Sequence, residues 1–337
     1  MKTLVCSSPG HLQYEEEEVP KIKRGFSLLK IKRIGICGTD LHAYEGTQPY
    51  FDYPRILGHE LSAEFIEGDA EGFISGESVT LIPYFYCGHC IACRNGKMNC
   101  CVHMQVCGVH QHGGMVEYLS IPSYALLHGE GLNFEELALV EPLAIGCHAI
   151  KRASVMEGDF VFVMGAGPIG IAIMEFARIS KATIIVMDRN EKRLAFCKEK
   201  LCVSHLIDAS KDDVYLKLME FTNGDIPTVV IDATGNHQAI TKGFDYMSHG
   251  GKYVLVGLQR NELKFAHPEF HKREGTLLSS RNATKADFEE VIMCIRKKLI
   301  TPIDYITNTV SFDQAKEAFP NWLDPASGTI KAMIEMS

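Results

Sequence analysis

Cys87, Cys90 and Cys93 are separated by two residues each, and Cys101 follows one short loop later. Thiolates at that spacing converge tetrahedrally on one zinc ion at about 2.3 Å and leave no position for water, so the group staples a loop and performs no chemistry. Cys100 is an alternative fourth donor, and spacing leaves the choice open. Disulfides, the competing reading, need an oxidising compartment. The opening Met1-Lys2-Thr3-Leu4-Val5 has neither the apolar core nor the cleavage site of a signal peptide. The expectation is therefore a cytoplasmic protein, where clustered cysteines hold metal.

A second set of donors is looser. Cys37 follows an apolar strand in a glycine-flanked turn, Leu57-Gly58-His59-Glu60 supplies an imidazole and a carboxylate, and Glu141 precedes Pro142. Cysteine, histidine and glutamate all ligate zinc, and three protein ligands with one open position make a catalytic site. Singly, each has an ordinary alternative as a buried thiol, a hydrogen-bonded histidine or a surface carboxylate.

The third motif binds phosphate. Val161-Phe162-Val163-Met164 runs into Gly165-Ala166-Gly167-Pro168-Ile169-Gly170, and a helical pattern follows. In that strand–turn–helix setting Gly165 makes the turn, Gly167 admits a pyrophosphate and Gly170 lets the helix pack on the strand. The helix N-terminus offers its N–H groups to the phosphates. Asp188, ending the next strand, suits both ribose hydroxyls and repels a 2′-phosphate, which favours NAD over NADP. Arg189 softens that preference, and Arg189 and Arg193 join the cofactor-binding candidates.

These motifs need elements to hold them. Before residue 150, short apolar runs such as Phe26–Ile36 and Ser78–Pro83 are punctuated by glycine and proline, the texture of a β-rich domain. From Asp159 to Thr284, β-branched runs alternate with helical patterns: Phe160–Met164, Ile169–Ile179, Thr183–Met187, Glu191–Lys200. That rhythm predicts βαβ units and a parallel sheet, hence an α/β fold class. The expected division is 1–151, containing a zinc lobe at 87–101, then a nucleotide-binding domain at 152–284, then a segment at 285–337 that returns to the first domain. A length of 337 residues accommodates two cores, and a net charge of −8 argues against nucleic acid and anionic membrane surfaces as partners.

Taken together, Cys37-Gly-Thr-Asp-x-His42, Gly58-His59-Glu60, the cysteine lobe, Glu141-Pro142 and the glycine turn resemble the zinc-dependent medium-chain alcohol and polyol dehydrogenases. Gln48-Pro49-Tyr50-Phe51, the run Gly108–Gly114, Pro268–Lys272 and Ser280–Thr284 resemble the sugar-acid branch, the L-galactonate/L-gulonate 5-dehydrogenases. The resemblance implies a GroES-like catalytic domain, a Rossmann doubly wound sheet, and a cleft holding nicotinamide against zinc. It implies two zinc ions per chain, NAD, and a homo-oligomer, dimer or tetramer, paired near Thr276–Ser280. Cys37, His59 and Glu141 match the catalytic zinc ligands, and Glu60 a carboxylate that ligates directly or through water. Thr39 matches the hydroxyl bonding the reacting oxygen, His42 a proton relay, and Asp40 the carboxylate that orients His59. Cys147-His148 would allow another arrangement.

The expected reaction moves hydride from a secondary alcohol of a small polyhydroxylated substrate to NAD. For a sugar acid, Arg281 is the preferred carboxylate partner, with Lys272 and His271 behind it and His110 and His112 lining the substrate surface. A neutral polyol such as sorbitol, then L-threonine, are the other substrates considered. A non-catalytic zinc and dinucleotide-binding protein is the reading from another class.

Overall fold

The computed structural model describes residues 1–49 and 51–337; Tyr50, one residue of the sugar-acid resemblance, lies outside the described residues. The chain forms two compact units, Met1–Pro142 with Ala283–Ser337, and Leu143–Asn282. The division falls inside the helix Val140–Ala153.

The first unit is built on a seven-stranded sheet. Its order is Leu126–His128, Ser78–Leu81, Glu60–Gly68, Phe26–Gly35, Lys331–Glu335 and Ile306–Ser311, and Tyr118–Pro122 also pairs with Phe26–Gly35. Phe26–Gly35 therefore organises the unit. Its Leu29, Ile31 and Ile34 are fully buried, in one core with Leu4, Leu57, Leu61 and Phe319. Each such side chain contributes about 1.5–3 kcal/mol of burial. The returning strand Lys331–Glu335 pairs antiparallel with it, Ile334 opposite Ile34 and Met333 opposite Gly35.

The second unit carries six parallel strands in the order His205–Asp208, Thr183–Asp188, Phe160–Met164, Val229–Asp232, Lys252–Leu255, Thr276–Ser279. The order runs outward in both directions from Phe160–Met164, so the strand that meets the glycine turn sits at the topological switch point, where such sheets bind ligands. Continuous apolar strands such as Phe160–Met164 suit a sheet covered on both faces, and Val161 to Met164 are fully buried. Among the described residues, no helix is long and apolar enough to cross a membrane.

Candidate active site

The open metal site begins where Phe26–Gly35 ends. Ile36 continues the pairing by donating its N–H to Ala332 O at 3.0 Å, and Cys37 then caps the helix Gly38–Glu45. The glycine-flanked turn expected at Cys37 is thus the start of a helix. Asp40 is the cause: from the first turn its Oδ2 accepts the Cys37 N–H at 2.9 Å. Its Oδ1 accepts the Gly58 N–H at 3.0 Å and lies 3.8 Å from His59 Nδ1. One carboxylate, 1 % exposed, thereby sets the positions of two donors.

The structure brings Cys37, His59 and Glu60 together, with their ligand atoms within 4.8 Å of one another. Glu141 stands outside that group: its Oε1 accepts a hydrogen bond from the Tyr84 hydroxyl, and both residues are buried. Glu60 is tethered on its other side. Lys331 Nζ donates to Glu60 Oε1 at 2.5 Å and to Ile36 O at 3.0 Å. Gly35 makes room for this carboxylate, because a Cβ there would lie 2.2 Å from Glu60 Oε2.

The electrostatics are those of a site built for a cation. Burial pushes the His59 imidazole down, yet the charges of Cys37 and Asp40 outweigh it and hold its pKa well above the ordinary value. Burial pushes the Glu141 carboxyl up to about 7, against the pull of His59 and with the push of Glu60. Burial and Glu141 together raise the Tyr84 hydroxyl well above its usual range. His59 Nδ1 is buried without a hydrogen bond, 3.8 Å from Asp40 Oδ1, and the Glu60 carboxylate is ion-paired with Lys331. A thiol, an imidazole and a carboxylate whose ligand atoms converge within 4.8 Å fit a zinc ion.

The backbone bearing His59 is clamped from behind. Gly113, Gly114 and Met115 donate N–H groups to Ile56, Gly58 and Leu57 at 2.8, 2.9 and 3.0 Å. The approach is so close that a Cβ on Gly113 would sit 2.4 Å from Gly58 O, and one on Gly108 2.9 Å from Gly58 N. His112 Nδ1 accepts the Ile56 N–H at 3.1 Å, and His110 Nδ1 accepts the Val106 N–H at 3.0 Å. Of the two histidines named as substrate candidates, His112 therefore braces the His59 loop through Nδ1, and His110 closes a turn on Val106 within its own segment.

In the cysteine lobe, Cys90 and Cys93 sulfurs are 3.4 Å apart, Cys87 and Cys101 3.5 Å, and Cys90 and Cys101 3.9 Å. Four sulfurs at 2.3 Å from a tetrahedral ion would be separated by about 3.8 Å. Cys101 is buried in this group while Cys100 is exposed. The Cys87 and His103 N–H groups point at Cys101 Sγ, each at 3.3 Å. Backbone donation from Cys93 and Val102 lowers the Cys90 thiol to about 6, whereas burial raises Cys93 to about 12. The donor set fits a second zinc ion.

At the nucleotide motif, Gly165 has φ +102° and Gly167 caps the helix Pro168–Ile179. A Cβ on Gly170 would lie 1.9 Å from Gly165 O, so turn and helix can close only on glycine. Ala166 and Pro168-Ile169 carry the chain between these positions. Asp188 accepts the Ala166 N–H at 2.7 Å and the Asn190 N–H at 2.8 Å. It therefore ties the turn to the next strand as well as presenting its carboxylate. The Arg193 guanidinium reaches to 3.8 Å from the place a Gly167 Cβ would occupy. Asp232, which the sequence reading passed over, is fully buried and accepts from Thr234 Oγ1 at 2.5 Å, holding the loop against Gly165.

Residues 23–130 match the family model of the alcohol dehydrogenase GroES-like domain, and residues 168–297 that of the zinc-binding dehydrogenase. The chain is 40% identical to L-galactonate-5-dehydrogenase of Escherichia coli K12, over 95% of this chain and 94% of that one. This chain belongs to the zinc-type alcohol dehydrogenase family. Sorbitol dehydrogenase of Halalkalibacterium halodurans is 31% identical to this alcohol dehydrogenase over 95% of each chain. An alcohol dehydrogenase from E. coli CFT073, solved with NADH, superposes with a TM-score of 0.92 at 30% identity over 99% of both chains.

Three residues of the dehydrogenase site escaped the sequence reading. Tyr84 and Lys331 meet Glu141 and Glu60 across 57 and 271 residues, beyond any spacing rule. Lys331 carried one weak signal, a lysine inside an apolar strand, which needs a partner when buried. Gly35 gave none. Arg281, the sugar-acid candidate, is exposed, and Lys272 pairs with Glu269 on the helix His267–Lys272, where the His271 ring meets His267 edge-on.

Proposed function

We propose that this alcohol dehydrogenase oxidises a secondary hydroxyl of a sugar acid, of the L-galactonate/L-gulonate type at C5, with NAD. The observation that carries the substrate class is the 40% identity to L-galactonate-5-dehydrogenase across nearly the whole chain. Cys37, His59 and a carboxylate, Glu60 or Glu141, hold the catalytic zinc, and Cys87, Cys90, Cys93 and Cys101 the structural one. Zinc at the first site supplies Lewis acidity, which lowers the pKa of a hydroxyl and polarises a carbonyl.

The chain's own residues do the rest. Asp40 keeps Cys37 and His59 in register, as oriented donors require. Thr39, the second residue of the helix Gly38–Glu45, would accept the proton of the reacting hydroxyl as it releases its own towards His42. His42, exposed on the same helix with Nδ1 3.0 Å from Thr47 Oγ1, passes it to solvent. Gly165–Gly170 and the N-terminus of the following helix would hold the pyrophosphate of NAD and Asp188 its ribose, with Arg189 and Arg193 leaving NADP a weaker second cofactor. Arg281 receives the substrate carboxylate, because a guanidinium binds it bidentately.

The test is NADH formation on L-galactonate, L-gulonate, D-gluconate, sorbitol, galactitol and L-threonine. The expected result is a preference of about tenfold or more in kcat/KM for one hexonate, near 1.4 kcal/mol of transition-state discrimination. Faster turnover of sorbitol would favour the neutral-polyol reading, which the 31% identity to sorbitol dehydrogenase supports. The same reading places the enzyme in the cytoplasm as a dimer or tetramer. The edge strand Thr276–Ser279 with Leu277 40 % exposed supports that pairing. Light scattering of the purified protein checks it.

A further inference from the structure

Two carboxylates flank the Cys37–His59 pair, and each is held by a different kind of partner. Glu60 is bound by the Lys331 ammonium, an ion pair buried to within 2 % of full exclusion from solvent. Glu141 is bound by the Tyr84 hydroxyl, a neutral donor, and both residues are buried. Tyr84 is itself fixed: it belongs to the short strand Tyr84–Phe85, and its ring meets Phe288 edge-on with centroids 6.2 Å apart. The tyrosine cannot follow Glu141 if that side chain turns. Meanwhile the compact three-residue group contains Glu60 and not Glu141.

We propose that Tyr84 is a positioning residue whose hydroxyl holds Glu141 back from the Cys37–His59 pair, so that Glu60 completes the metal centre. Without that hydroxyl, Glu141 is free to take the same place. The charges accept either arrangement. With zinc bound, one divalent cation and the Lys331 ammonium face the Cys37 thiolate and the carboxylates of Asp40, Glu60 and Glu141. Exchanging one carboxylate for the other leaves that sum unchanged. What differs is the hydrogen bond to Tyr84, and this is why a neutral hydroxyl can decide the outcome. The inference rests on the reading that Cys37 and His59 hold a metal.

The experiment is a double-variant cycle on the full chain. Zinc affinity is measured by chelator competition, and the cobalt-substituted form by its visible ligand-field bands. The proteins are the wild type, Glu60→Gln, Tyr84→Phe and Glu60→Gln/Tyr84→Phe, with Cys37→Ser as the control for the metal reading. Glutamine keeps an acceptor for Lys331, and phenylalanine keeps the ring on Phe288, so both folds survive; retention of zinc by the four-cysteine lobe verifies it. Alone, Glu60→Gln weakens zinc binding at the open site by about tenfold or more, the scale seen for lost metal-site partners. In the Tyr84→Phe background the same change stays within about threefold, because Glu141 replaces the lost ligand and the two sites are coupled. The cobalt bands shift in Glu60→Gln and return towards the wild-type spectrum in the double variant. An equal loss in both backgrounds overturns the proposal, as does no loss in Glu60→Gln alone. If Cys37→Ser keeps its open-site metal, it is the metal reading that fails instead.

Discussion

Asp40 has three partners, the Cys37 N–H, the Gly58 N–H and the His59 imidazole, so its loss should be felt by two metal donors at once. Asp40→Ala is expected to weaken the open site's zinc by about 10–100-fold while the four-cysteine site keeps its ion. Metal content after dialysis against a graded chelator would check this. Protonation supplies a second expectation. Glu141 keeps its proton up to about 7 in the folded chain, against about 4.3 for an ordinary glutamate. The folded state therefore binds the extra proton, and with the open-site metal removed, stability should fall as pH rises between those values. His59, whose pKa is also raised, extends the decline to higher pH. The urea midpoint should drop from pH 5 to pH 7.5, and Glu141→Gln should flatten the lower part of that slope. Cys37, His59, Glu60 and Asp40 were legible because they fall in two short motifs. Tyr84 and Lys331 were not, because their meaning lies in partners that only the folded chain brings near.

At the scale of elements, the glycines are where sequence and structure agree most closely. The strand Phe160–Met164, the turn and the helix Pro168–Ile179 match the periodicity reading almost to the residue, because apolar strand, glycine and helical pattern are all local signals. Gly170→Ala places a methyl carbon on Gly165 O, so the turn must open. NADH affinity should fall by at least about tenfold, or 1.4 kcal/mol, in a fluorescence titration. The run Gly108–Gly114 has a second role once folded. Its backbone and His112 grip residues 56–58, while His110 closes on Val106 within the run's own loop, so its glycines serve the metal-bearing loop. Gly113→Ala should therefore reduce zinc content from about two ions per chain to about one, as measured by elemental analysis, with NADH binding intact. Periodicity could not reveal this, since a loop that packs backbone on backbone has no period.

For the whole molecule, the alternation of strand and helix after residue 150 made the parallel sheet legible, whereas the order of the other sheet was not, because its strands come from both sides of the nucleotide-binding unit. The four-cysteine lobe belongs to that discontinuous unit. Cys93→Ser should lower its Tm by several degrees, since each kcal/mol moves a unit of this size by about 2–4 °C, and differential scanning calorimetry would register it. Ile34 pairs with Ile334, 300 residues later. At about 5–20 residues per second of synthesis, that edge of Phe26–Gly35 waits roughly 15–60 s on the ribosome before its neighbour exists. Lys331 arrives with the same strand, so Glu60 spends that interval without its counter-charge. The nucleotide-binding unit, contiguous in the chain, can fold in the meantime; the metal centre is a late event in the life of each molecule, and a nascent chain needs protection of that one open edge until it is made.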